Sequence, residues 1–518
     1  MFHPPERFNI ADYFLDARVR EGRGDRVALR LDGGDLTYGQ VLALANRYGQ
    51  VLRRLGVQPE ERVMLALRDG PDFVGALFGS FKIGAVAVMA NPGLPAEQLA
   101  GLLDYTRARL LVTDAATLAV AEQAVAEQGS WLRQVLVADG DGDGRPSFSL
   151  QAAGVAAELD TLPTHRDDAA LWLFSGGTTG RPKAVVQSHR SYANTTELYA
   201  KAALGYHQDD VTLSVPRLFF GYATGANLFF PFAVGASAVL FPEHPTPEVL
   251  FDRIRRHRPT ILVNVPTMVG KMVSHPAAAA QDLSCLRLAT SAGEALPAPL
   301  YERWMEVFGV ELLDGLGTAE MWHVFLSNLP GAVRPGTLGR AVPGFDVRVC
   351  DDEGREVPRG ELGRLWVRGG SRATAYWRNL EMTAETFRGE WVALGDLVRM
   401  DDEGWVSYQG RADDVLKVGG KWCAPQEVES CLLAHPAVRE CAVVGVEDAD
   451  GLTKPWAFVV AAEGGAGAEL EAELKELALD RLEAHKHPRR VVVLATLPRT
   501  HLGKVDRGRL KREAAALR

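Results

Sequence analysis

The feature that most narrows the fold of this chain is the recurrence of short apolar runs between stretches of helical periodicity. Residues 63–67, 109–113, 211–215 and 261–265 each read as a short apolar strand. Between such runs, residues 36–55 carry apolar positions at helical spacing after Thr37, and 247–257 opens on Pro247 and continues helically. This alternation predicts an α/β architecture of parallel sheets covered by helices.

At 518 residues the chain exceeds what one hydrophobic core supports, so at least two domains are expected. Later in the sequence, strands such as 365–367 and 405–408 lie closer together, with the turn Asp401-Asp402-Glu403-Gly404 between them. A β-rich subdomain is therefore expected from about residue 345. Beyond Gly410-Arg411, helical patterns at 425–434 and 469–484 accompany strand patterns near 442–444 and 491–494. These divide the chain into a large N-terminal domain, 1–411, and a small α+β C-terminal domain, 412–518.

A net charge of −9 offers no general attraction to nucleic acid or anionic lipid, so anionic ligands must be held locally. Cys285, Cys350, Cys423, Cys431 and Cys441 show neither CxxC spacing nor a disulfide framework. The start of the sequence lacks the pattern of a secretory signal, and a cytoplasmic location is expected. Residues 218–242 carry no charge and are long enough to cross a bilayer. Gly221, Gly225, Asn227, Pro231 and Gly235 interrupt them, which favours a buried helix leading to the strand pattern at 237–241.

Directly after the apolar run 169–174 comes Ser175-Gly176-Gly177-Thr178-Thr179-Gly180-Arg181-Pro182-Lys183. Glycines let backbone N–H groups converge on oxygen, hydroxyls add donors and Lys183 adds charge, a combination suited to triphosphate. The same composition also makes an ordinary solvated turn. It is not a P-loop, because Gly180 is followed by Arg181-Pro182-Lys183-Ala184 rather than by Lys and a hydroxyl residue.

The segment resembles the Ser/Thr/Gly-rich loop of the adenylate-forming superfamily of acyl-CoA synthetases, adenylation domains and luciferases. Further segments match in the same order: Ser291-Ala292-Gly293-Glu294-Ala295-Leu296-Pro297, Asp314-Gly315-Leu316-Gly317-Thr318-Ala319-Glu320, Gly360-Glu361-Leu362, Leu394-Gly395-Asp396, Gly410-Arg411-Ala412-Asp413-Asp414, and Pro498-Arg499-Thr500-His501-Leu502-Gly503-Lys504. Singly each is a common turn or ion-pair sequence; their ordered combination is specific.

The resemblance implies that ATP is bound by the loop and by the segments containing Gly293, Glu294 and Ala295 and Asp314 to Thr318. Asp396 would accept from the ribose hydroxyls and Arg411 would donate to the sugar region. Glu320 would be the Mg2+ ligand, and Lys504 the lysine that relieves charge at the attacked α-phosphorus. The small domain would be mobile, swinging about Asp413 and bringing Lys417, Gly419 and Gly420 to the pantetheine of coenzyme A. Two departures are visible: Ala319 stands where many relatives carry Thr, and Leu394 where Thr or Ser usually precedes Gly-Asp. The missing hydroxyl at 319 would cost about 0.5–1.5 kcal/mol of nucleotide binding.

Within the superfamily, Pro216 to Tyr222 and Glu320 to Phe325 resemble the corresponding segments of benzoate-CoA ligases. This implies an aryl acid between Phe220, Gly221 and Tyr222, with Ala292 and Gly315 leaving space. Asn264 and His323 are candidates to read a ring substituent. The expected activity is ATP-dependent aryl acid–CoA ligation. Two other readings stay open: loading of a carrier-protein phosphopantetheine, and a nucleotide and aryl-acid sensor without turnover.

Overall fold

The computed structural model describes residues 2–127, 131–175, 182–412, 414–418, 421–448, 452–462, 469–499 and 505–517. Among the described residues, two large sheets dominate. One orders its strands Ala375–Tyr376, Lys183–Ser188, Ala169–Ser175, Val86–Met89, Arg62–Ala66, Leu110–Thr113 and Gln134–Val137. The other runs Arg340–Ala341, Val324–Ser327, Leu312–Gly317, Leu288–Ser291, Ile261–Asn264, Val211–Ser214, Ser237–Val239, Val27–Arg30 and Leu36–Thr37. Pairing is parallel through the middle of each sheet and antiparallel at the edges, except that the edge strand Gln134–Val137 pairs parallel with Leu110–Thr113.

The helices form where local chemistry favours them. Thr37 accepts from the Gln40 backbone and Gln40 bonds back to Thr37, a capping box that starts the helix Tyr38–Arg54. Thr246 caps Pro247–His257 by accepting from Val249 N–H, ahead of a proline that needs no N–H partner. The uncharged stretch beginning at Leu218 folds into consecutive short helices that bury Phe229, Phe230 and Phe232 completely. No helix among the described residues is long and apolar enough to cross a membrane.

An antiparallel sheet follows, made of Asp346–Cys350, Leu362–Arg368, Trp391–Met400, Phe387–Arg388 and Val406–Arg411. Its inward residues, among them Leu365, Val367, Val392 and Val398, join the same core that begins at Ile10. The C-terminal part has cores of its own, one on each face of the sheet Val438–Glu447, Thr453–Ala461 and Arg490–Val493. Arg507 forks onto both oxygens of buried Glu429 at 2.6 and 3.0 Å and also donates to the Val443 carbonyl. This desolvated pair ties the helices Pro425–Leu433 and Arg507–Ala516 to the sheet. The α/β class, the β-rich portion and the smaller α+β portion agree with the reading from periodicity.

The helices Tyr38–Arg54 and Pro71–Lys82 approach so closely that glycine is required between them. A Cβ on Gly79 would lie 2.8 Å from both the Ala45 carbonyl oxygen and the Gly49 nitrogen. Gly79→Ala is therefore expected to push the helices apart and destabilise the large domain by about 1–3 kcal/mol, read from the urea unfolding midpoint.

Candidate active site

A cleft of about 3300 Å³ opens where the two large sheets, the antiparallel sheet and the C-terminal part meet. That is several times the roughly 300–1,000 Å³ of a single small-ligand site, leaving room for more than one ligand. Ser175 and Lys183 face each other in antiparallel register, so the ends of the Gly-rich segment are pinned together at the cleft wall. Gly176, Gly177, Thr178, Thr179 and Gly180 lie outside the described residues.

Next to Lys183 stands a group that the motifs do not reveal. The Tyr376 hydroxyl donates to Glu320 Oε1 at 2.7 Å, and Lys183 Nζ lies 5.7 Å from the centre of the Tyr376 ring. Tyr376 reaches this position because its short strand pairs with Lys183–Ser188, an edge contact spanning nearly two hundred residues of chain. The second Glu320 oxygen has no hydrogen-bond partner among the described residues. Thr318 Oγ1 is likewise buried without one, a polar group that a ligand oxygen would satisfy.

The strand Leu312–Gly317 pairs antiparallel with Val324–Ser327 at very close range. A Cβ on Gly315 would meet the Leu326 carbonyl oxygen at 2.7 Å, and one on Gly317 would meet the His323 backbone at 2.6 Å. Gly315, Leu316 and Gly317 line the cleft. Asp314 faces away, with its carboxyl buried and held well above the usual carboxylate range by desolvation. The connection between the strands puts Trp322 at φ 63, a conformation unusual for a bulky residue, and this turn presents His323.

At this end of the cleft the walls are flat and apolar. Phe220, Gly221, Tyr222, Ala292 and His323 all line it. The His323 ring lies 5.3 Å from Tyr222 and 4.7 Å from Phe230, and a Cβ on Gly225 would stand 2.4 Å from its Cδ2. Its Nε2–H donates to the Tyr222 carbonyl at 3.0 Å, which leaves Nδ1 a lone pair with no partner among the described residues. The wall at 217–220 is held from beneath: Asp69 accepts from Leu218 N–H at 2.9 Å and lies 3.8 Å from Arg217. Burial nevertheless pushes the Asp69 carboxyl up to about 6.

Asn264 is not part of this wall. It is fully buried, its oxygen accepts from Val265 N–H and its amide approaches Met272 Sδ at 3.5 Å, away from the residues that line the cleft.

Asp396 and Arg411, which also line the cleft, are register partners on adjacent antiparallel strands, 3.7 Å apart, and Tyr408 donates to Asp396 at 3.4 Å. A Cβ on Gly395 would reach 2.8 Å from the Arg411 guanidinium, so the two residues lie against each other. Gly293, Glu294, Ala295, Ala319 and Leu394 also line the cleft. Lys417 lies on the strand Leu416–Val418; Asp413, Gly419, Gly420 and Lys504 fall outside the described residues.

The arrangement joins an apolar pocket to a polar cleft lined by Thr318, Glu320 and Lys183 and by the Asp396 carboxylate and Arg411 guanidinium. Two family models match the chain: AMP-binding enzyme over residues 15–377, and AMP-binding enzyme C-terminal domain over 427–504. The chain belongs to the AMP-binding enzyme family. It is 42% identical to the benzoate–CoA ligase of Thauera aromatica over 98% of this chain and 96% of that one. Among solved structures it is similar to the anthranilate CoA ligase AuaEII in complex with anthranoyl-AMP, with TM-score 0.94 and 37% identity over 99% of both chains. A benzoate CoA ligase from Burkholderia xenovorans LB400 superposes with TM-score 0.90 and 40% identity over 97% of this chain and 100% of that one.

Two histidines make the fold sensitive to acid. His323 and His189 are both buried and desolvation pushes each from 6.5 down to about 3; His189 Nδ1 accepts from Ile10 N–H. The unfolded chain therefore binds more protons than the folded one between about pH 6.5 and 3. Their contribution to stability is full above that window and falls as pH drops through it, by up to about 1.4 kcal/mol per pH unit for each group. His323→Gln is expected to lose less of its urea midpoint than the parent between pH 7 and pH 5.

Proposed function

We propose that the protein is an ATP-dependent aryl acid–CoA ligase of the benzoate type. The observation that carries this reading is the continuity of the apolar pocket at Phe220, Tyr222, Ala292 and His323 with the polar cleft at Thr318, Glu320 and Lys183. A flat acid held in the pocket would present its carboxylate to a nucleotide lying between the pinned loop ends and Asp396.

In the first half-reaction a carboxylate oxygen attacks the α-phosphorus of ATP, forming the acyl-phosphate bond as pyrophosphate leaves. Lys183 and the Gly-rich segment hold the phosphates, Asp396 and Arg411 the ribose, and Lys504 balances charge gathering around phosphorus. A single carboxylate in a phosphate cleft suits Mg2+, which commonly takes one or two protein carboxylates and completes its shell with phosphate and water. Glu320, oriented by Tyr376, would hold that ion, and when bound it would neutralise phosphate charge.

In the second half-reaction the small domain turns about Asp413, so that Lys417, Gly419 and Gly420 face the adenylate and admit pantetheine. The thiol gives up its proton to solvent as its sulfur attacks the acyl carbon, the thioester forms and AMP leaves with the bonding pair.

ATP–pyrophosphate exchange across aliphatic, benzoic, hydroxybenzoic and aminobenzoic acids tests the reading, with mass detection of the CoA thioester for the best acid. An aryl acid should support both signals. Exchange without a thioester would redirect the acceptor to a carrier protein, and absence of exchange with every acid would sink the adenylation mechanism. Lys504→Ala is expected to lower exchange by about 10²-fold or more while retaining thioester formation from supplied aryl adenylate. Bulk at Gly419 or Gly420 should produce the opposite split.

A further inference from the structure

One arginine crosses from the C-terminal part to the wall of the cleft. Arg499 belongs to the connection between the strand Arg490–Val493 and the helix Arg507–Ala516, the same connection that carries Lys504. One end of its guanidinium, Nη2, donates to Glu440 on the neighbouring strand Val438–Glu447. The other end, Nη1, lies 3.7 Å from Glu294 Oε1 and 3.4 Å from Thr267 Oγ1. Glu294 is itself fixed: its Oε2 accepts from Thr267 N–H at 3.1 Å and from the Thr267 hydroxyl at 2.7 Å, at the start of the helix Pro266–Val273.

Both halves of the contact are thus oriented before they meet, one by the C-terminal part and the other by the large domain. Arg499, Glu294 and Glu440 are each 27% exposed, so the charges are partly withdrawn from solvent. The two acidic partners differ in one respect. Glu440 travels with Arg499 wherever the C-terminal part goes, whereas Glu294 belongs to the large domain. Any rotation that carries the C-terminal part away from the large domain keeps the first contact and breaks the second. An interaction present in one of two states shifts the population toward that state by its own free energy.

We propose that the Arg499–Glu294 contact is a latch that holds the C-terminal part against the large domain for adenylation and must open before thioester formation. The proposal rests on the two-state ligase reading given above. Arg499 is a positioning residue in this scheme: it acts by fixing how the C-terminal part stands against the large domain. Its loss should therefore slow one half-reaction and spare the other, which a general weakening of the fold would not do.

The test uses the full chain and measures exchange and thioester formation from supplied aryl adenylate separately. The variants are Arg499→Ala, Arg499→Lys, Glu294→Gln and the double variant Arg499→Ala/Glu294→Gln. Arg499→Ala should lower the exchange rate about tenfold, with thioester formation unchanged or faster. Arg499→Lys, which keeps the charge, should recover much of the loss, and the double variant should be no slower than the slower single one. Equal loss in both half-reactions, no loss in either, or a double variant equal to the product of the singles would overturn the latch. Parent exchange with an aryl acid and its loss in Lys504→Ala are measured on the same preparations. Failure there overturns the ligase reading and the latch with it, whereas an active parent with an indifferent Arg499→Ala overturns the latch alone.

Discussion

The backbone contact between Leu312–Gly317 and Val324–Ser327 sets the position of nearly everything in the cleft. Upstream, Leu312–Gly317 continues the parallel sheet beside Leu288–Ser291; downstream it becomes one arm of an antiparallel pair. The change of partner is possible because Gly315 and Gly317 have no side chain to hold the facing strand away. The tight return between the arms then delivers Glu320 to the polar part of the cleft and His323 to the apolar part. One stretch of backbone thereby fixes the spacing between the proposed carboxylate site and the charge-bearing groups.

Much of the architecture was legible because it depends on local periodicity. The apolar strand runs, the Thr37 and Thr246 helix starts and the buried helices after Leu218 all follow from residues within a few positions of one another. The ordered motifs were legible as a resemblance. Less legible was which residue of a motif faces the cleft. Neighbouring residues of a strand point to opposite faces. Asp314 turns into the interior while Gly315 lines the cleft, and Asn264 ends its strand buried against Met272.

What the sequence did not disclose are contacts closed by topology. Tyr376 sits far from both Glu320 and Lys183 along the chain and meets them through an edge-strand pairing. Arg499 meets Glu294 only because two separately folded cores stand side by side. Tyr376 belongs to no local pattern whose chemistry would mark it, and Arg499, though it lies in the Pro498 to Lys504 segment, meets a partner that the segment does not name.

The register of Ser175 opposite Lys183 has a consequence for how such a protein can vary. The strand pair joins the two ends of the segment directly, so their positions follow from the pairing. A one-residue slip in the pairing would turn Lys183 to the other face of the sheet and exchange a buried neighbour for it. The alignment of the two strands is what commits this lysine to the cleft.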